Sequence, residues 1–185
     1  TFIAGRSRLS QSPGPSEFAE IADGRNSATL TNASWRFVAS PSFVVTQRVG
    51  IATNEFSNAN LASVDLGHGT GRDVTWRTDV VAKPWSAIML EGGGQVQRQE
   101  RQVLERQLLN ANFDANVLQT YDQSAVLSSA YGQARWSPGR IAMTGGGRVD
   151  HWSLTDQTMA SPWAQAEAPL GTSFKLRAGA GVYQQ

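Results

Sequence analysis

Apolar and polar residues alternate along most of the chain with a period of two residues. This period is typical of half-buried β-strands, whereas the 3.6-residue spacing of amphipathic helices is nearly absent. The pattern predicts an all-β protein, an antiparallel up-and-down meander of about eight strands. The candidate strands are 27–39, 43–52, 73–83, 87–98, 124–136, 140–152, 162–168 and 172–184, and residues 1–5 fit the end of an earlier strand.

The connections between these strands are predicted to alternate in length. Tight turns rich in Pro, Ser and Gly are expected at 40–42, 84–86, 137–139 and 169–171. Long polar loops are expected at 6–26, 53–72, 99–123 and 153–161. Short turns on one side and long loops on the other are typical of outer-membrane barrels, so the meander is interpreted as a transmembrane β-barrel or a section of a larger one. Residues 100–113 fit either a short surface helix or an extension of the neighbouring strand.

Each candidate strand has an apolar and a polar face. The apolar faces contain small as well as large residues, which a lipid-facing surface tolerates better than a core that must interdigitate. Parity alone does not say which face points inward, so a soluble sheet remains the alternative. In the barrel interpretation, the polar residues expected to face the lumen are Arg77, Asp79, Glu91, Arg135, Arg148, Asp150, Lys175 and Arg177. The aromatic residues expected at the membrane interfaces are Trp76, Trp85 and Trp136.

Two candidate strands contain three consecutive glycines, at 92–94 and 145–147. Glycine weakens a strand interior, but it permits bending or a close approach of neighbouring groups. The triplets therefore predict either curvature of a barrel wall or close packing in its lumen, with a simple bulge as the alternative.

Composition narrows the function classes. The 185 residues, of which 40% are hydrophobic, fit one domain, here a single β-barrel region over 1–185. A net charge of +1 without basic runs speaks against nucleic-acid binding. The sequence has no cysteine, which excludes disulfides and thiolate metal sites, and no apolar stretch long enough for a membrane helix. No signal peptide is visible, and the chain is expected to be an excerpt from a longer polypeptide.

Motifs with catalytic or binding chemistry are weak. The stretch "GHGTGR" at 67–72 resembles a phosphate-binding loop but opens no helix, so a flexible loop is the better interpretation. His68 and His151 are the only histidines, and Asp150 and His151 point to opposite faces of a strand. The acceptor motif "NAS" at 32–34 lies in mid-strand, where chance explains it better than glycosylation. No catalytic residue, metal site or cofactor is predicted, and the protein is not expected to be an enzyme.

The segment "SSAYGQARWSPGRIAMTGGGRVDHWS" resembles the barrel strands of TonB-dependent receptors. It contains an aromatic- and Gln-bearing strand, a tight turn, and a strand ending in Gly-x-Arg-x-Asp. The continuation "SPWAQAEAPLGTSFKLRAGAGVYQQ" is similar to a following hairpin of that family, and "ASPSFVVTQRVGIATNEFSN" fits the same style. The resemblance covers most of residues 27–185. It departs from the family pattern because no plug, no TonB-contacting segment and no aromatic C-terminal residue is present.

The resemblance implies part of an outer-membrane transporter that imports a scarce solute. Its expected partners are outer-membrane lipid, the remainder of the barrel with a plug domain, the TonB complex and an unknown small solute, in the outer membrane of a bacterial cell. The rival hypothesis is a soluble all-β binding module, a sandwich or propeller fragment.

Overall fold

The computed structural model describes residues 1–11, 19–109, 114–170 and 174–182. They form nine antiparallel strands in one sheet whose order follows the chain, which confirms the all-β meander. The strands are β1 (Phe2–Ser10), β2 (Asp23–Ser40), β3 (Phe43–Ala59), β4 (Asp65–Trp85), β5 (Ile88–Leu108), β6 (Ala115–Trp136), β7 (Ala142–Trp152), β8 (Gln157–Leu170) and β9 (Phe174–Gly181). Each of the eight predicted strands corresponds to one of β2–β9, and β1 contains the predicted earlier strand.

The predicted long loops are wrong, because the strands continue into them. Only residues 60–64 separate β3 from β4, and only 153–156 separate β7 from β8. β5 and β6 likewise extend through most of 99–123. β1 and β2 take up both ends of 6–26, and residues 12–18 of that predicted loop lie outside the described part. These extensions mix polar and apolar residues in no regular order, so the apolar-polar alternation that identifies a strand is missing there. The short connections at 41–42, 86–87 and 137–141 agree with prediction, while residues 171–173 lie outside the described part.

Two local predictions are also corrected. Residues 100–108 continue β5, so the strand extension is right and the surface helix is wrong, while residues 110–113 lie outside the described part. The stretch 67–72 is not a flexible loop but belongs to β4, in which Gly67, Gly69 and Gly71 alternate and are buried. A Cβ on Gly69 would lie 2.5 Å from the ring of Phe56 and 2.8 Å from the carbonyl oxygen of Gln102. The glycines are there because neighbouring groups occupy the space of a side chain.

The strands fall into two compact units. Unit 1 comprises 1–33, 50–74 and 98–125 and contains the connection at 60–64. Unit 2 comprises 34–49, 75–97 and 126–185 and contains the short turns.

The register of β6–β9 fixes which residues of unit 2 share a face. Met143 of β7 lies opposite Trp136 of β6 and Ala166 of β8. Its neighbour Thr144 lies opposite Arg135 and Gln165. Because paired residues of adjacent strands point to the same side, the apolar and the polar sets remain separate across all four strands.

Large apolar side chains lie mainly on the surface of the described residues. None of them is fully buried, and the buried apolar residues are Ala22, Leu66 and Leu108. On the apolar face of unit 2, the exposed residues include Trp76, Leu90, Val96, Trp136, Met143, Val149 and Leu176. The described strands form one sheet with no second layer against this face. No helix in the described residues has the length and hydrophobicity needed to cross a membrane.

Candidate functional site

The carboxylate of Asp79 connects three strands on the polar face of unit 2. Arg77, two residues earlier in β4, donates to it through Nε and Nη2 at 2.9–3.1 Å. Arg48 of β3 donates through Nη1, and the hydroxyl of Tyr131 of β6 donates at 2.7 Å. The Arg77 guanidinium also lies 5.9 Å from the centre of the Tyr131 ring. One carboxylate therefore pairs with two arginines and accepts a hydrogen bond from a tyrosine, and these residues come from three strands. We call Arg48, Arg77, Asp79 and Tyr131 the Asp79 cluster.

Gly93 of β5 is what allows Tyr131 to reach Asp79. A Cβ on Gly93 would collide with the carbonyl oxygen of Thr78 and lie 2.8 Å from Cε1 of Tyr131. The ring of Tyr131 therefore lies across the bare backbone of the strand between its own strand and that of Asp79. This is the close approach that the triplet at 92–94 predicts, rather than a bulge.

The second triplet repeats the arrangement. A Cβ on Gly146 of β7 would lie 2.6 Å from the carbonyl oxygen of Gly132 and 2.8 Å from Cζ2 of Trp163. Trp163 of β8 lies directly opposite Gly146 in the register. Around the adjacent Gly145, by contrast, no atom lies within 4 Å of such a Cβ. In both triplets, the middle glycine supports an aromatic ring from the next strand.

The other predicted lumen residues also lie on the polar face, in separate pairs. Arg148 binds Asp150 of the same strand at 2.8–3.0 Å, and Glu91 accepts a hydrogen bond from Gln133. Lys175 binds Glu167, and Nε of Arg177 lies 3.7 Å from the same carboxylate. Arg135 donates to the hydroxyl of Ser137 at 3.4 Å.

Tyr131 and Gln133 were not among the predicted site residues. Both are alternate residues of β6 in step with Arg135, so they lie on the polar face. This spacing could have identified them from the sequence. Whether this face lines a lumen stays a prediction.

The three predicted interface tryptophans occupy exposed positions in unit 2. Nε1 of Trp76 donates to Oε1 of Gln47 at 2.7 Å, and Thr78 donates to the same oxygen. Trp136 lies opposite Met143, and Trp85 ends β4. Their position at a membrane interface stays a prediction.

Further ion pairs lie in unit 1. Asp23 accepts hydrogen bonds from Arg25 at 3.0 Å and from Arg8 at 2.9 Å, and these two bonds lower the pKa of its carboxyl. Nδ1 of His68 lies 2.9 Å from Asp65, whereas His151 contacts Thr158 in unit 2. Among the described residues, no three His, Asp or Glu side chains are grouped to hold a metal ion. In the part of the chain that the structure describes, these polar side chains form ion pairs and hydrogen bonds both within strands and between them.

Neither protein-family models nor curated proteins match the chain. Some solved structures do match it. The sheet shares the fold of part of a transporter. Copper transporter OprC matches with a TM-score of 0.65 at 16% sequence identity. The match covers 86% of this chain and 30% of the transporter, so the chain corresponds in length to less than a third of that protein. At this identity the likeness establishes the fold alone.

Proposed function

We propose that the chain is a section of the wall of an outer-membrane β-barrel that imports a small solute. The observation that carries the proposal is the exposed apolar face of unit 2, opposite a face that carries ion pairs. Lipid outside and water inside would satisfy both faces. The fold shared with a transporter supports the same interpretation.

The finer assignment is to the TonB-dependent receptors. It rests on the resemblance of 128–153 and 161–185 to barrel strands of that family, and on a meander in which all nine described strands follow chain order. In this assignment residues 1–185 are one barrel region, completed by further strands and a plug, and import is powered through the TonB complex. The predicted lumen residues, from Arg77 to Arg177, would face the plug or the solute. The copper in the name of the similar transporter is not carried over.

The rival, a soluble all-β binding module, needs a second layer to cover the apolar face. We therefore expect the full polypeptide to sediment with the outer membrane and to be released only by detergent. Extraction by high salt or alkaline carbonate is the control for a peripherally bound protein. A monodisperse protein that is soluble without detergent would contradict the barrel and favour the rival.

A further inference from the structure

Two carboxylates on the polar face of unit 2 are each shared by two cations. In the Asp79 cluster, one carboxylate pairs with two arginines. Glu167 of β8 pairs in the same way with both Lys175 and Arg177 of β9. Because one carboxylate compensates the charge of one cation, each of these two groups keeps one positive charge in excess.

Arg148 of β7 lies next to the Asp79 cluster. It is directly opposite Tyr131 in the register of β6 and β7, and the ring of Tyr131 lies 5.9 Å from the guanidinium of Arg77. Paired residues of adjacent strands point to the same side, so Arg148 shares the face of the cluster. Its acid partner is Asp150 of its own strand. Three arginines and two acids are therefore gathered around one tyrosine.

The acids of these ion pairs are largely covered, whereas the cations are exposed. The side chains of Asp79, Asp150 and Glu167 are 14–21% exposed. The side chains of the cations that pair with them are 43–69% exposed. A dissolved molecule at this face therefore meets guanidinium and ammonium groups rather than carboxylates, so the face attracts negative charge.

Two of the arginines also keep hydrogen-bond donors for a ligand. A guanidinium has five N–H donors in a fixed planar arrangement. Arg148 binds Asp150 through Nε and Nη2, and Arg48 binds Asp79 through Nη1. Within the described residues, Nη1 of Arg148 and Nη2 of Arg48 donate no hydrogen bond. The bonds to the acids hold both guanidiniums in place, which lowers the entropy cost of binding a ligand.

Guanidinium groups form paired, charge-assisted hydrogen bonds with carboxylate and phosphate oxygens. We propose that the polar face of unit 2 binds a small solute that carries carboxylate or phosphate groups, and that Arg48 and Arg148 contact these groups. The inference rests on the proposed function and deepens it, since it gives the chemical class of the imported solute. The alternative occupant, an acidic segment of the full polypeptide, is an outcome of the test.

The test measures binding of citrate to the full polypeptide in non-ionic detergent by isothermal titration calorimetry. Citrate is the probe because it carries several carboxylates, and the polyamine spermidine is the control ligand of opposite charge. We expect citrate to bind and spermidine not to bind. Added salt should weaken the binding of citrate, because it screens the charges of exposed groups.

Arg148→Gln should weaken citrate binding about tenfold, because it removes charge-assisted hydrogen bonds to the ligand. The matched control is Arg140→Gln, which removes the same charge from an exposed site in the turn at 137–141. This control should leave the Kd for citrate unchanged. Asp150→Asn has the opposite sign, since it leaves Arg148 without its acid, so citrate should bind more tightly. This result does not depend on whether Arg148→Gln folds.

The outcomes separate the inference from the proposed function. Equal Kd values for citrate in the unchanged polypeptide and all three variants would overturn the inference. So would the absence of citrate binding; if Arg148→Gln then also lowers the stability in urea more than Arg140→Gln does, an acidic segment of the polypeptide occupies the face. A polypeptide that needs detergent but binds no citrate retains the proposed barrel wall. One that is soluble without detergent contradicts the proposed function, whatever its Kd for citrate.

Discussion

At the scale of single residues, the two glycine triplets are explained by what lies across their middle positions. Tyr131 crosses Gly93 to reach Asp79, and Trp163 covers Gly146. In each case an aromatic ring rests on backbone that has no side chain, so the loss of β-propensity is offset by contact between strands.

Gly146 and Gly145 form a matched pair for testing this arrangement. Gly146→Ala places a methyl group within 2.8 Å of three neighbouring atoms, two of them in β6. We expect it to lower the free energy of unfolding by about 1–3 kcal/mol, a cost typical of overpacking. Gly145→Ala enters open space and should be nearly neutral. The measurement is urea unfolding of the full polypeptide in lipid vesicles; equal effects at both positions would contradict the close approach.

Asp79→Asn tests the Asp79 cluster. The change leaves Arg48 and Arg77 side by side without their shared anion, so we expect a loss of about 1–2 kcal/mol, reduced by the partial exposure of both arginines. The control is Asp150→Asn, because Asp150 binds an arginine of its own strand and holds no two strands together. Unfolding in urea should therefore show the larger loss for Asp79→Asn. A larger loss for Asp150→Asn would mean that the contacts between strands add little.

At the scale of strands, alternation separates the two faces but does not give the exposure of each position. Met143 is 42% exposed on the apolar face, whereas its neighbour Thr144 on the polar face is only 8% exposed. Thr144 lies between Arg135 and Gln165, whose long side chains leave it little space. Local alternation gives the face to which a side chain points, but its exposed fraction depends on the side chains of the neighbouring strands.

An arginine scan in β7 and β8 therefore uses Gln165 rather than Thr144 as its polar-face position. Met143→Arg places a charge on the proposed lipid face at a cost of about 2–4 kcal/mol near the membrane midplane. Gln165→Arg, on the exposed polar face opposite Thr144, should be tolerated because water and the nearby Glu167 can accommodate the charge. The measurement is the fraction folded into lipid vesicles, by heat-modifiable gel mobility. Similar damage from both changes would mean that the two faces are not lipid and water.

At the scale of the whole molecule, the connections at the two ends of the strands should lie on opposite sides of the membrane. The absence of cysteine in the sequence makes this testable by single-cysteine labelling. Leu61→Cys lies in the connection between β3 and β4, and Ser86→Cys in the turn between β4 and β5; both sites are exposed. We expect a membrane-impermeant maleimide to label Leu61→Cys in intact cells, and Ser86→Cys only after lysis. The reverse pattern would place the turn between β4 and β5 on the outer side of the membrane.

Local sequence was enough to predict most of the strands, their order along the chain and the two faces of each. These features are local, because successive side chains of a strand point to opposite faces and this does not depend on distant parts of the chain. The same reasoning failed at 53–72 and 99–123, because polar and apolar residues follow no regular alternation there, and pairing with adjacent strands keeps these segments extended.

Strand pairing was needed to establish which residues meet. Asp79 and Tyr131 are 52 positions apart, and nothing in either strand alone brings them together. Their contact depends on the register of two strand pairs and on a glycine in the strand between them, and a shift of one residue in either pair would turn these side chains to opposite faces. Alternation is local, so the sequence was enough to name the charged residues of the polar face. Register is a property of paired strands, so only the tertiary structure decided which residues these charged groups contact.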